Sequence, residues 1–316
     1  MDVMTQKHIY EVIIAVIVLI AYNSFCVVVR KKLIHRLIAK VCWLFVLIAG
    51  NCVILLMLLS YVITDHVLYY PHCDEEIHEQ LGEMEHMEEL ALETSVGKCG
   101  GWFYHSPKNS ELTVILYPGN MQTAGEMVLL SGTFEDSAEG LGLNLVVMDY
   151  PGYGNSEGLP SEYTMKKMAL EAYDGVVSRE DMKKQKVVLM SYSIGTGVAN
   201  YIASQRDVDG LILLAPYQNG YDLFNGFVDI FHGPMKLFMP FRMRADEFAK
   251  LVTIKPLVIA SEQDEMVPYE SSLALTKLYP MGVDMKSYKG LAHGELWQEK
   301  QIWLDIFSYL RDIYYS

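Results

Sequence analysis

Two uncharged apolar runs near the N-terminus constrain this chain more than any other feature. Val12 to Val29 is 18 residues long and Val41 to Ile63 is 23. A bilayer core takes about 20 apolar residues as a helix, so both runs are long enough to span one. Two buried helices of a soluble domain are the alternative reading. The placement of the runs as an adjacent N-terminal pair favours spans. A cleaved signal peptide fits poorly, because only Lys7 precedes the first run and no small-residue cleavage site follows it.

The loop between them, residues 30–40, carries Arg30, Lys31, Lys32, Arg36 and Lys40. Five cations in so short a loop place it on the cytoplasmic side by the positive-inside rule. Everything after about residue 66 is then expected on the extracytoplasmic side, whether periplasmic, external or lumenal. Residues 1–66 form the anchor, with spans at 12–29 and 41–63. They hold six basic and three acidic residues, and the remaining 250 hold 19 basic and 36 acidic, a net of −17. That acidic surplus argues against a nucleic-acid partner. An apolar fraction of 51% excludes general disorder. Cys26, Cys42 and Cys52 fall in the spans, which leaves Cys73 and Cys99 either to pair as a disulfide or to stand as separate thiols.

Residues 67–99 read as an acidic amphipathic linker helix. Ile77, Leu81, Met84, Met87 and Leu90 recur at helical spacing among glutamates. His72, Cys73, His78 and His86 invite a metal reading. They form no compact His-x-x-x-His or Cys-x-x-Cys pair, so a solvated helix face is favoured and no metal is expected.

From residue 100 to 316, short apolar runs alternate with helical stretches. Thr113–Tyr117, Leu145–Met148, Val187–Met190, Leu211–Leu214 and Leu257–Ala260 each read as a strand buried on both faces. Helices are expected near 122–138, 163–178, 195–205 and 296–313. This is the α/β class, a mostly parallel sheet covered by helices on both faces. Ligands in such folds bind at the carboxyl ends of strands.

The residues at those ends carry chemistry. Ser191-Tyr192-Ser193-Ile194-Gly195 follows one strand, Asp264-Glu265-Met266-Val267-Pro268 lies beyond another, and Gly290-Leu291-Ala292-His293-Gly294 comes near the C-terminus. The order Ser, Asp, His resembles the α/β-hydrolase superfamily over about residues 100–314, with Ser191 standing where the nucleophile elbow usually has Gly. Tyr117-Pro118-Gly119-Asn120 and the loop from Asp149 to Gly158 resemble two further motifs. Together they point to membrane-anchored α/β-hydrolase-domain proteins and the serine-aminopeptidase-like and monoglyceride-lipase-like branch.

The resemblance implies roles. Ser193 is the nucleophile, His293 the general base and Asp264 its orienting acid. Glu262 and Glu265 are rivals for the acid, and His105 and His232 for the base. The backbone N–H groups of Asn120 and Ile194 would form the oxyanion hole. The loop from Asp149 is read as structural. No Gly-x-Gly-x-x-Gly or P-loop follows a strand, so no cofactor is expected.

Pro216 to Lys250 occupies the position of a cap. Tyr217, Tyr221, Phe224, Phe227 and Phe231 recur every three or four residues, as on one face of a helix. Such a helix either packs on the sheet or forms a short apolar cap for an acyl chain. The expected activity is hydrolysis of an acyl ester or thioester, with the bilayer and an acyl-lipid or lipidated substrate as partners. A serine-aminopeptidase-type peptidase and a retired, membrane-tethered binding module are the alternatives.

Overall fold

Five of the eight strands among the described residues are the apolar runs expected from sequence, and their burial explains why they were legible. In a computed structural model of the chain, residues 3–33, 37–108, 110–131, 142–226 and 229–316 are described. The strands are β1 (Met87–Thr94), β2 (Gly97–Tyr104), β3 (Leu112–Tyr117), β4 (Asn144–Met148), β5 (Lys186–Tyr192), β6 (Gly210–Leu214), β7 (Leu257–Ser261) and β8 (Asp284–Tyr288). They form one sheet in the order β1-β2-β4-β3-β5-β6-β7-β8. The β1–β2 and β2–β4 pairs are antiparallel and the rest are parallel. Every residue of β3, β4, β6 and β7 is buried, as strands covered on both faces must be.

The chain divides into two units. One holds Met1–Tyr69 and Gly233–Pro240. It contains helices α1 (Val3–Leu33) and α2 (Leu37–Leu68). Windows of 25 and 26 residues, Gln6–Arg30 and Ala39–Thr64, are long and apolar enough to cross a membrane. Within the 18-residue apolar stretch of each, 6% of the first and 0% of the second are buried against protein, unlike the core helices of a soluble domain. The helices meet through polar groups in mid-span. Asn23 and Asn51 exchange side-chain hydrogen bonds at 2.9 and 3.3 Å, and Tyr22 Oη donates to the Val46 carbonyl at 2.5 Å. In an apolar medium such groups need partners within the protein. The Ser60 hydroxyl donates to the Phe238 carbonyl, so a stretch of the cap region packs on α2.

The second unit is Tyr70–His232 with Phe241–Ser316. It begins some 30 residues before the expected start of the catalytic domain at residue 100. The expected linker helix over 67–99 is corrected here. Beyond the end of α2 at Leu68, only α3 (Glu75–Gly82) is helical in this stretch, with the Asp74 carboxylate accepting from the Glu76 and Ile77 N–H groups at its start. Met87–Thr94 is instead the edge strand β1, joined to β2 by a tight turn at Ser95-Val96. Leu90 is buried while Glu89 and Ala91 on either side are exposed, which is alternation with a period of two.

The Cys73–Cys99 pairing is also corrected, since both thiols are free. Cys99 is buried in β2, where burial pushes its thiol up to about 12. Cys73 is exposed, and its Sγ lies 3.7 Å from Asn155 Oδ1.

The cap is not one helix either. Its regular pieces are short: Gly220–Asn225, Gly233–Phe238, Ala245–Phe248 and Ala249–Leu251. Tyr217, Phe224 and Phe241 are buried, with the rings of Tyr217 and Phe224 each 6.5 Å from that of Phe241. Phe227 lies outside the described residues, as does the stretch 132–141 after helix α4 (Ala124–Leu130).

Candidate active site

The strand β5 ends in a turn that forces its last side chain out of the sheet. Ser193 has φ of 52°, in the left-handed region that non-glycine residues avoid. Its N–H donates to the Leu214 carbonyl at 2.9 Å and its carbonyl accepts from Thr196 N at 3.0 Å, so backbone bonds hold the strain. The helix Gly195–Ala203 starts immediately after. Gly195 is required there, because an added Cβ would come within 2.5 Å of the Tyr117 and Pro118 carbonyls. Ser191, in place of the usual glycine, is fully buried, and its hydroxyl donates to the Ile212 carbonyl at 3.4 Å.

Three residues from three strand ends converge. His293 Nε2 lies 3.0 Å from Ser193 Oγ, and His293 Nδ1 lies 2.7 Å from Asp264 Oδ2. Asp264 Oδ1 accepts from the N–H groups of Met266 and Val267 at 2.9 and 2.8 Å. The Asp264 side chain is 2% exposed and that of His293 12%. This chain of contacts can take a proton from a serine hydroxyl and keep the resulting imidazolium oriented.

Among the described residues, no rival side chain bonds to the His293 ring or to Ser193 Oγ. Glu265 accepts from the His293 backbone N–H at 2.9 Å, and Glu262 pairs with Lys289 at 3.6 Å. His105 stacks on Phe103 and contacts Glu88 at 2.8 Å, while His232 contacts Asp229.

The loop Pro118–Asn120 lies against the elbow. Tyr150 Oη holds the Pro118 carbonyl at 2.8 Å, and the Gly119 N–H donates to Gln122 Oε1 at 2.8 Å. Among the described residues, no hydrogen bond engages the backbone N–H of Asn120 or of Ile194. Both N–H groups are therefore uncommitted within the described fold.

Several supporting residues were not singled out from sequence. The Tyr192 ring stacks on the His293 imidazole, with centroids 4.8 Å apart and planes at 24°. Its Oη donates to the His293 carbonyl at 2.9 Å. Ser261 Oγ donates to the Leu291 carbonyl at 2.6 Å, and the Gly290 N–H donates to Gln263 Oε1. The histidine loop is thereby fixed from β5 and from β7. The position of Tyr192 between two serines was visible, but nothing in the spacing reveals a partner 101 residues away.

The loop after β4 braces the other side. Asp149 is buried, and its carboxylate accepts from Ala124 N at 2.7 Å and Asn155 N at 3.4 Å. Burial pushes its pKa up to about 7. The unfolded chain loses this proton near pH 4, as an ordinary Asp does. Between about pH 4 and pH 7 the folded state therefore holds a proton that the unfolded state has released. Stability from this group must fall as pH rises through that window and level off above it. Asp149→Asn should flatten that fall, read as melting temperature against pH for wild type and variant. Parallel curves would show that Asp149 is ionised at lower pH.

Comparison with known proteins agrees with this fold. Residues 114–232 match the family model for the alpha/beta hydrolase fold. An uncharacterised protein of Mycobacterium tuberculosis is 28% identical over 182 residues, which is 57% of this chain and 63% of that protein. Lysophosphatidylserine lipase ABHD12 of Macaca fascicularis is 26% identical over 240 residues, 70% of this chain and 57% of the relative. The chain thus spans less than two thirds of the length of these relatives. Among solved structures, Pyrococcus furiosus esterase Pf2001 superposes with a TM-score of 0.62 at 14% identity, covering 78% of this chain and 98% of the esterase. An alpha-beta hydrolase from Vibrio vulnificus gives 0.61 at 15%, covering 79% and 90%. With its strand order, elbow and these similarities taken together, the chain has the α/β-hydrolase fold, preceded by two helices long and apolar enough to cross a membrane.

Proposed function

We propose that this chain is a membrane-anchored serine hydrolase that cleaves an acyl ester or thioester. The observation that carries the reading is the contact sequence from Ser193 Oγ to His293 to Asp264. In this reading Ser193 attacks the acyl carbonyl as His293 takes its proton. The oxyanion is held by the N–H groups of Asn120 and Ile194. Collapse expels the alcohol or thiol, which receives the proton from His293, and leaves Ser193 acylated. Water then attacks the acyl-enzyme with His293 again as base, and the acid departs. Asp264 keeps its negative charge and holds the imidazole in the required tautomer.

An acyl-lipid substrate is supported by the apolar anchor, by the cap's aromatic residues and by the lysophosphatidylserine lipase among the relatives. The basic loop 30–40 favours the catalytic domain on the opposite, extracytoplasmic side. One experiment tests both parts. The full chain in sealed vesicles is treated with a membrane-impermeant fluorophosphonate. We expect covalent labelling when the surface opposite loop 30–40 faces outward, and protection when it faces inward. A folded chain that never labels would overturn the hydrolase reading, and labelling in the reverse orientation would overturn the topology. A series of p-nitrophenyl esters should then show kcat/KM rising with acyl length. Flat ester activity with efficient cleavage of aminoacyl amides would identify a peptidase instead.

A further inference from the structure

The two apolar helices leave a groove between their ends on the loop side. Its volume is about 290 Å³. Asn23, Cys26, Val27 and Arg30 line it from α1, and Lys40, Val41, Trp43, Leu44 and Leu47 from α2. Arg30 and Lys40 stand at the loop end, one on each helix. Neither forms an ion pair among the described residues. No acidic residue occurs between Glu11 and Asp65, so nothing in either apolar run neutralises them.

Below the two cations the lining turns apolar. Val27, Val41 and Leu44 are 52%, 47% and 53% exposed, and they face the medium around the helices. Trp43 Nε1 is engaged, donating to the Cys26 carbonyl at 3.1 Å, so the indole serves as a wall. Arg30 to Asn23 and Lys40 to Leu47 are each seven residues. At 1.5 Å per residue the groove runs about 10 Å along the helix axes. A cationic mouth above a mostly apolar trough suits an amphiphile with an anionic head, the head at the cations and the first methylenes along Val27 and Leu44.

We infer that this groove is a binding site for an anionic phospholipid of the leaflet on the side of loop 30–40. The inference rests on the membrane-anchor reading and is independent of the hydrolase chemistry. Diffuse attraction of a basic loop to an acidic surface needs no groove. A bound lipid needs both the two cations and the space beneath them.

The test uses the full chain reconstituted with phosphatidylcholine and a minor share of phosphatidylglycerol, followed by native mass spectrometry of retained lipid. About one phosphatidylglycerol per chain should be retained in preference to phosphatidylcholine. Arg30→Gln with Lys40→Gln should lower that preference roughly tenfold or more. Leu44→Trp, which fills the trough without changing charge, should also abolish retention. Retention undiminished by Leu44→Trp would overturn the inference in favour of diffuse attraction, as would equal retention of both lipids by the wild type. Extraction of the chain from vesicles at alkaline pH separates the two readings. Release into the supernatant would defeat the anchor reading itself, whereas a retained chain without lipid preference would defeat only this one.

Discussion

Ser193→Ala is expected to abolish fluorophosphonate labelling and to lower kcat by about 10⁴- to 10⁶-fold, with the fold intact. The magnitude follows from the role of the hydroxyl. Without it no acyl-enzyme can form, and only binding and the oxyanion donors remain to assist water. The fold should survive because alanine keeps the Cβ and thus the same conformational cost at φ of 52°. The backbone bonds from Ser193 N to Leu214 and from Thr196 N to Ser193 O are untouched. What disappears is one side-chain hydrogen bond to His293, a loss of about 1 kcal/mol. Circular dichroism and melting temperature should match the wild type within a few degrees. A variant with residual turnover near the wild-type rate would place the nucleophile elsewhere.

Asp264→Asn should cost about 10⁴-fold in kcat, and Glu265→Gln far less. The two acidic residues are adjacent in sequence and both touch His293, so the pair isolates what each contact does. Asp264 meets the ring at Nδ1, 2.7 Å away, from a nearly sealed position. Asparagine there can donate to Nδ1 and so stabilise the wrong tautomer, with Nε2 protonated and unable to act as a base toward Ser193. Glu265 accepts from the backbone N–H of His293 at 2.9 Å. Its amide analogue retains an oxygen acceptor, and the ring tautomer is unaffected. Kinetics of both variants on one short-chain ester decide the matter. Equal losses, or a larger loss from Glu265→Gln, would move the acid to the neighbouring position.

The inner strands could be read from sequence because burial on both faces demands continuous apolar runs such as Val114-Ile115-Leu116 and Leu211-Ile212-Leu213-Leu214. The edges could not. β1 mixes Leu90 and Leu92 with glutamates, and Met84, Met87 and Leu90 coincide with a helical spacing. Pairing with β2 along the whole hairpin, from Met87 opposite Tyr104 to Thr94 opposite Gly97, overrides that local signal. β8 reads Asp-Met-Lys-Ser-Tyr, a partly exposed edge with no buried residue to mark it. In the cap, aromatic spacing suggested one helix. The chain instead breaks into short pieces so that Tyr217, Phe224 and Phe241 can meet in a common cluster.

By itself, the sequence determined which chemical groups are available: a serine, an aspartate and a histidine in α/β-hydrolase order, and two helices with a basic loop between them. Their types and spacing follow from covalent order and from hydrophobic runs, both of which are local. Tertiary structure alone decided which carboxylate meets the imidazole, which rings support it, and that Cys73 and Cys99 stand apart. Those outcomes depend on contacts between residues far apart in the chain, such as Ser193 with His293 and Tyr192 with the His293 carbonyl. Close packing chooses among such pairs by distances of a few ångströms, which no local pattern of residues encodes.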